Sequence, residues 1–237
     1  MEALQRTPVR GPTFIRLLAR LTDVDVPPPS ASLSDRLSDW IDWTRAVALS
    51  RVLDGAAPAA GPGGPAFDGA EEAAYAATRA ALSATIAGCL ELPATGTPEA
   101  EAEYAPFRQH YLASQRAMLT ATGRLRGRLR DMLAGRSAPQ ARLADLDALM
   151  EVVLSPREQT LLAAVPDLLG AHFERLRLAA QPACDDALLR SNAWLDVFRR
   201  DMQGVLLAEL DVRFLPLEGL LAALRPHPQG RHVQTYA

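Results

Sequence analysis

The residues with most chemical potential in this chain of 237 residues are its arginines, since all 25 Lys+Arg positions hold arginine. A P-loop lysine, a Schiff-base lysine and a lysine general base are therefore excluded. Five arginines crowd the stretch Gly123–Arg136, GRLRGRLRDMLAGR, against a single acid, Asp131. At helical spacing Arg124 shares one face with Arg128, and Arg126 shares another with Arg130, while Leu125 and Leu129 point inward. Such a ridge suits a phosphate backbone or an acidic partner protein. It is equally the pattern of a solvated face paired with carboxylates of a neighbouring helix. No aromatic residue interleaves the arginines, which weakens the case for single-stranded nucleic acid.

A second cluster is acidic. Asp35, Asp39 and Asp42 recur at i, i+4, i+7 beside Trp40 and Trp43, a spacing that could hold a cation or form an acid/base pair. Metal sites usually draw ligands from more than one element, and no histidine lies near, so a solvated face is the expectation. Trp40 falls on the apolar stripe of its segment. Trp43 falls beside it, which marks it as an exposed aromatic for a partner. His110, His172, His227 and His232 show neither HxxxH nor HExxH spacing, so no metal site is expected. Cys89 and Cys184 have no CxxC neighbourhood, which argues against zinc and suits a reducing compartment. The GPGG at 61–64 has no strand before it and no lysine after it, so it is no phosphate loop. No catalytic, cofactor-binding or metal-binding residue is assigned. The partner-binding residues expected are Trp43, Arg124, Arg126, Arg128 and Arg130.

Helices must position these groups. Hydrophobic residues make up 49% of the chain and aromatics only 5%, so the core is built from leucine and alanine, which favour helix. No segment alternates with period two, so no sheet is expected. The longest pattern is Tyr104–Gly135, with Phe107, Tyr111, Met118, Leu125, Leu129, Met132 and Leu133 on one face. From Pro106 to Ala134 a helix would span roughly 40 Å. Pro106 either kinks it or starts it, and Gly135 fits a left-handed residue just past its end. A short helix follows Thr13. A continuous helix is expected over 33–53, with Leu33, Leu37, Trp40, Ile41, Val47, Ala48 and Val52 inward. Asp68 and Glu71 have capping-box spacing before a helix to Leu92. A helix from Ser137 should turn sharply at Ser155–Pro156, the next should kink at Pro166, and Pro216 should open a final short helix.

The expected fold is an all-α, antiparallel bundle of about seven or eight helices, elongated if the long central helix sets its length. That helix should pack against the two helices that follow it. The chain divides into an N-terminal helical segment 1–54, a Gly/Ala/Pro-rich linker 55–69, a main bundle 70–225 and a disordered tail 226–237. Whether 12–54 packs on the main bundle is left open.

Three stretches, Phe14–Leu53, Ser155–Arg177 and Leu206–Arg225, together resemble an uncharacterised proteobacterial family, a domain of unknown function. The resemblance brings no catalytic residues. It implies encoding beside envelope proteins similar to stator subunits and OmpA-like peptidoglycan binders, and hence a cytoplasmic accessory of an envelope assembly. The residues add that net charge is −3 with pI near 5.8, which argues against nucleic acid as the default partner. No uncharged apolar run is long enough to span a membrane, and Arg16 and Arg20 interrupt FIRLLARL, so the expected compartment is the cytoplasm. The function read from the sequence is a non-enzymatic helical interaction or scaffold protein binding another, acidic or envelope-associated protein. The alternatives are a nucleic-acid-binding regulator using ridge 124–136, and an enzyme with a site assembled from distant residues. A homodimer follows if the apolar stripes are wider than one bundle can cover.

Overall fold

The computed structural model describes residues 13–23, 31–55, 67, 69–92, 103–180 and 193–225. Their elements are α1 (Thr13–Thr22), α2 (Leu33–Trp40), α3 (Trp43–Asp54), α4 (Ala70–Ala87) with a 3-10 turn at Gly88–Glu91, α5 (Ala105–Ala134), α6 (Ala138–Ala163), α7 (Val165–Ala179) and α8 (Ala193–Leu224). No strand occurs among the described residues. The fold is all-α, a helical bundle. Asp68, Cys184, His227, His232 and the tail 226–237 lie outside the described residues, as does most of the linker 55–69.

The long helix forms as the spacing predicts. α5 has 30 residues, roughly 45 Å at the usual rise. Its buried line runs Phe107, Tyr111, Ser114, Met118, Thr122, Leu125, Leu129 and Leu133 in steps of three and four. Ser114 and Thr122 fill positions that the apolar pattern leaves blank, and Thr122 stays satisfied by donating to the Met118 carbonyl at 2.7 Å. Pro106 sits in the first turn, where its missing N–H would have had no helical partner anyway. Gly135 has φ −81°, so it is not the left-handed residue expected. Ser137 and Gln140 form a capping box that starts α6, and this sets the tight turn without it.

Two prolines expected to divide helices lie inside helices that continue. α6 runs through Pro156, and α8 runs through Pro216 to Leu224. A helix-interior proline costs about 3 kcal/mol, and packing outweighs it. Beyond Pro216, Leu217, Leu220, Leu221 and Leu224 are all buried. Pro156 is exposed, so the carbonyl it frees can meet water. The chain turns instead at Ala164, and Pro166 opens α7 rather than kinking it. The main partner of α5 is α8, followed by α6, which corrects the expectation that the two following helices would cover it.

Two clusters make the core. One joins α1, α4, α5, α7, α8 and the last turn of α6 around Phe107, Phe173 and Phe198, whose ring centroids lie 5.0 to 5.9 Å apart. The other sets Leu125, Leu129 and Leu133 of α5 against Ala144 of α6 and the end of α8.

The helix expected over 33–53 is two. Ile41 is extended, and the Asp42 side chain accepts from Arg45 N at 2.8 Å as the N-cap of α3. A short carboxylate that can cap a new helix competes with continuation of the old one. The core face assigned to this segment turns inward but is shallow: Leu37, Trp40, Ile41, Val47, Ala48 and Val52 are half-buried, none is fully buried, and Leu33 is 72% exposed.

Candidate functional site

The structure splits the arginine ridge. Arg126 grips Asp147 of α6 with two hydrogen bonds, Nε to Oδ2 at 2.8 Å and Nη2 to Oδ1 at 2.7 Å. Arg130 lies 2.7 Å from Glu151, which also reaches Arg126 at 3.4 Å. Asp147 and Glu151 stand one turn apart on α6, so two carboxylates meet two guanidiniums across the α5–α6 seam. Burial works against the charge of Arg126, and the hydrogen bonds and charge of Asp147, with Glu151 behind it, outweigh that and hold its pKa above the ordinary value. These two arginines fasten helices together. Arg124 and Arg128 are exposed and have no ion pair among the described residues.

Trp43, at the start of α3, is 83% exposed. Its neighbour in sequence, Trp40, lies under the Arg157 guanidinium of α6 at 5.5 Å from the ring centroid. Arg142, near the beginning of α6, donates to the Gly55 carbonyl at 2.7 Å. The two contacts are equally spaced along both segments, so α3 runs opposite to α6. Asp35 serves the capping box of α2, and Asp42 caps α3; the acidic trio is thereby divided, with no shared ligand position. The Ser32 hydroxyl and backbone N–H hold the Asp35 carboxyl below its usual range.

A buried polar cluster was missed in the sequence. Glu209 of α8 is 0% exposed. Tyr111 donates to it at 2.7 Å, Gln115 at 3.1 and 3.2 Å, and Arg213 at 2.8 and 3.0 Å. Arg213 continues to Glu158 of α6 at 3.1 Å, and Gln115 also donates to the Leu162 carbonyl at 3.2 Å. Burial, and then the neighbouring carboxylate, push the Tyr111 hydroxyl far above the ordinary phenol range, so it remains a donor. Both Glu209 oxygens are occupied by donors from its own fold, which leaves no lone pair directed at a substrate. The available signal was an acid four residues before an arginine inside the apolar run LLAELDVRFL.

His172 is held from both sides. Its Nε2 faces Asp201 at 2.9 Å, and its Nδ1 faces Arg175 at 3.0 Å. Arginine can only donate, so Nδ1 is the acceptor and Nε2 carries the hydrogen. Arg175 also donates to the Leu21 carbonyl, and Arg20 lies 3.4 Å from Asp201. The group pins α1 to α7 and α8. Cys89 is wholly buried, and burial pushes its thiol up to about 11, far from a reactive thiolate. Among the described residues no three His, Cys, Asp or Glu side chains gather to hold a metal ion, and no helix is long and apolar enough to cross a membrane.

The chain belongs to the family described as "Protein of unknown function (DUF3348)", whose family model matches residues 1–226. No curated protein and no solved structure matches it.

Proposed function

We propose that the protein is a non-enzymatic helical interaction module of the cytoplasm, accessory to an envelope-associated assembly. It engages another protein through its α2–α3 side, with Trp43 as the anchor. The observation that carries this reading is Trp43 itself, 83% exposed on two helices whose own residues are at most half-buried. A tryptophan left in water forgoes a large share of the burial it could gain, and interface anchors are rich in this residue. The occupied state of Glu209 and the inert Cys89 support a reading without catalysis. The test is capture of partners from native cells by the wild type and by Trp43→Ala, at two salt concentrations, with identification by mass spectrometry. Loss of a defined protein with Trp43→Ala, at unchanged stability, is the expected result; identical recoveries would remove the reading.

Nucleic-acid binding is the second reading, and the divided ridge sets its scale. With Arg126 and Arg130 committed to Asp147 and Glu151, the ridge offers Arg124 and Arg128. Two phosphate contacts give a slope of about −2 in log K against log salt.

A further inference from the structure

We infer that the side of α6 facing α3 is a helix-binding face, covered in cis by α3, on which an amphipathic helix of a partner protein takes α3's place. The inference rests on the reading that this side of the molecule is the interaction side, and it concerns α6 rather than Trp43.

α6 packs through two faces. One face meets α5 through Ala144 and the Asp147–Glu151 carboxylates. The second carries Arg142, Leu146, Leu149, Val153 and Arg157, spaced three or four apart along one stripe. Val153 is 3% exposed yet belongs to neither core cluster, and the helix packed on this side is α3. A second, apolar face opposite the first needs a cover of its own.

The two partners in this contact are unequal. α6 is fixed to the bundle by the Arg126 and Arg130 clamps. α3 has 12 residues, of which Val47, Ala48 and Val52 are half-buried and none is fully buried, and helices that short are marginal without deeper packing. It is tied to α6 on both flanks, by the Arg142 bond to Gly55 after its last turn and by Arg157 over Trp40, the last residue of α2. Those anchors define the ligand. It is a helix running opposite to α6, apolar on one side, with an aromatic ring ahead of its first turn for Arg157. At its last turn it presents a free carbonyl for Arg142, where the negative end of the helix dipole also favours a cation.

The experiment uses a fluorescent synthetic peptide of residues 31–55 and the full-length protein carrying Ala48→Pro, which breaks α3 in place. The peptide is expected to bind Ala48→Pro at least about tenfold more tightly than wild type, because the intact α3 competes in cis. Adding Arg142→Ala and Arg157→Ala should weaken that binding, while a peptide with Trp43→Ala should bind as well as the unaltered one. Equal binding to wild type and Ala48→Pro, or none to Ala48→Pro, overturns the inference. Unfolding of the whole bundle by Ala48→Pro overturns it too, since α3 would then be integral to the fold. Hydrogen exchange on the wild type reads the same property without a variant. Amides of α3 should exchange at least about 100-fold faster than those of α5, and equal protection counts against displacement. Loss of partner capture with Trp43→Ala alone bears on the outer side of α3, so the two readings fail separately.

Discussion

Between α5 and α8 the interface closes over phenylalanines, leucines and a carboxylate with no solvent contact; between α3 and α6 not one α3 residue is buried. Both contacts are made by amphipathic helices with residues three and four apart. They differ in continuity and in what lies opposite. The α5 line is unbroken from Phe107 to Leu133, and α8 answers it along its length. The α2–α3 line is cut by the cap at Asp42, and it meets one helix rather than a groove between two. An apolar stripe states which side a helix would bury. How deeply it does so depends on the partner, and here the shallow contact lies on the side where Trp43 faces solvent.

Variants can break this contrast at its deep end first. Glu209→Ala leaves Tyr111, Gln115 and Arg213 without their acceptor, and removing one partner of a buried charge pair typically costs about 3–5 kcal/mol. Denaturant unfolding monitored by circular dichroism would measure it. A loss below about 1 kcal/mol would place the cluster among ordinary surface pairs.

The next test is pH. Burial lowers the His110 imidazole below its ordinary value, against an opposing hydrogen bond to the Ile86 backbone, and its buried Nε2 has no partner among the described residues. The unfolded chain therefore takes up a proton that the folded chain resists. The stability from this site is complete above the ordinary histidine pKa of about 6.5, and it is lost as pH falls from there through the folded value. His110→Gln should flatten the decline in unfolding free energy between about pH 7 and pH 5. An unchanged decline would assign it to other groups.

The smallest effects belong to α2–α3. Trp40→Ala removes a cation–π contact worth about 0.5–1 kcal/mol together with the cover of a half-buried ring, and should still cost less than Glu209→Ala. Trp43→Ala should stay within about 0.5 kcal/mol of wild type. Thermal unfolding of both variants checks this. A shift for either as large as that of Glu209→Ala would erase the contrast.

The helical class, the α5 stripe and the exposure of Trp43 are legible because each depends on spacing within one segment. The prolines mislead for a physical reason. Pro156 and Pro216 do break the local hydrogen-bond ladder, but whether a helix ends there is decided by what packs on either side, and Leu217 to Leu224 are held by α5 and α6 side chains distant in sequence. Asp42 reads as one of three acids on a face, whereas its cap bond to Arg45 N ends one helix and begins another. The ridge is half legible. Its arginines sort into the expected pairs, Arg124 with Arg128 outward and Arg126 with Arg130 on another face, yet only the fold brings Asp147 and Glu151 under Arg126 and Arg130. The Glu209 cluster needs residues from α5, α6 and α8 together, and no spacing within one helix reveals that.

The same cluster indexes the bundle. Leucine and alanine stripes attract without direction, so α8 could slide along α5 by one turn, about 5.4 Å, and still find apolar surface beneath it. Glu209 cannot make that move. Tyr111 and Gln115 belong to α5, and Glu158 and the Leu162 carbonyl to α6, so all three helices come into step at one axial setting.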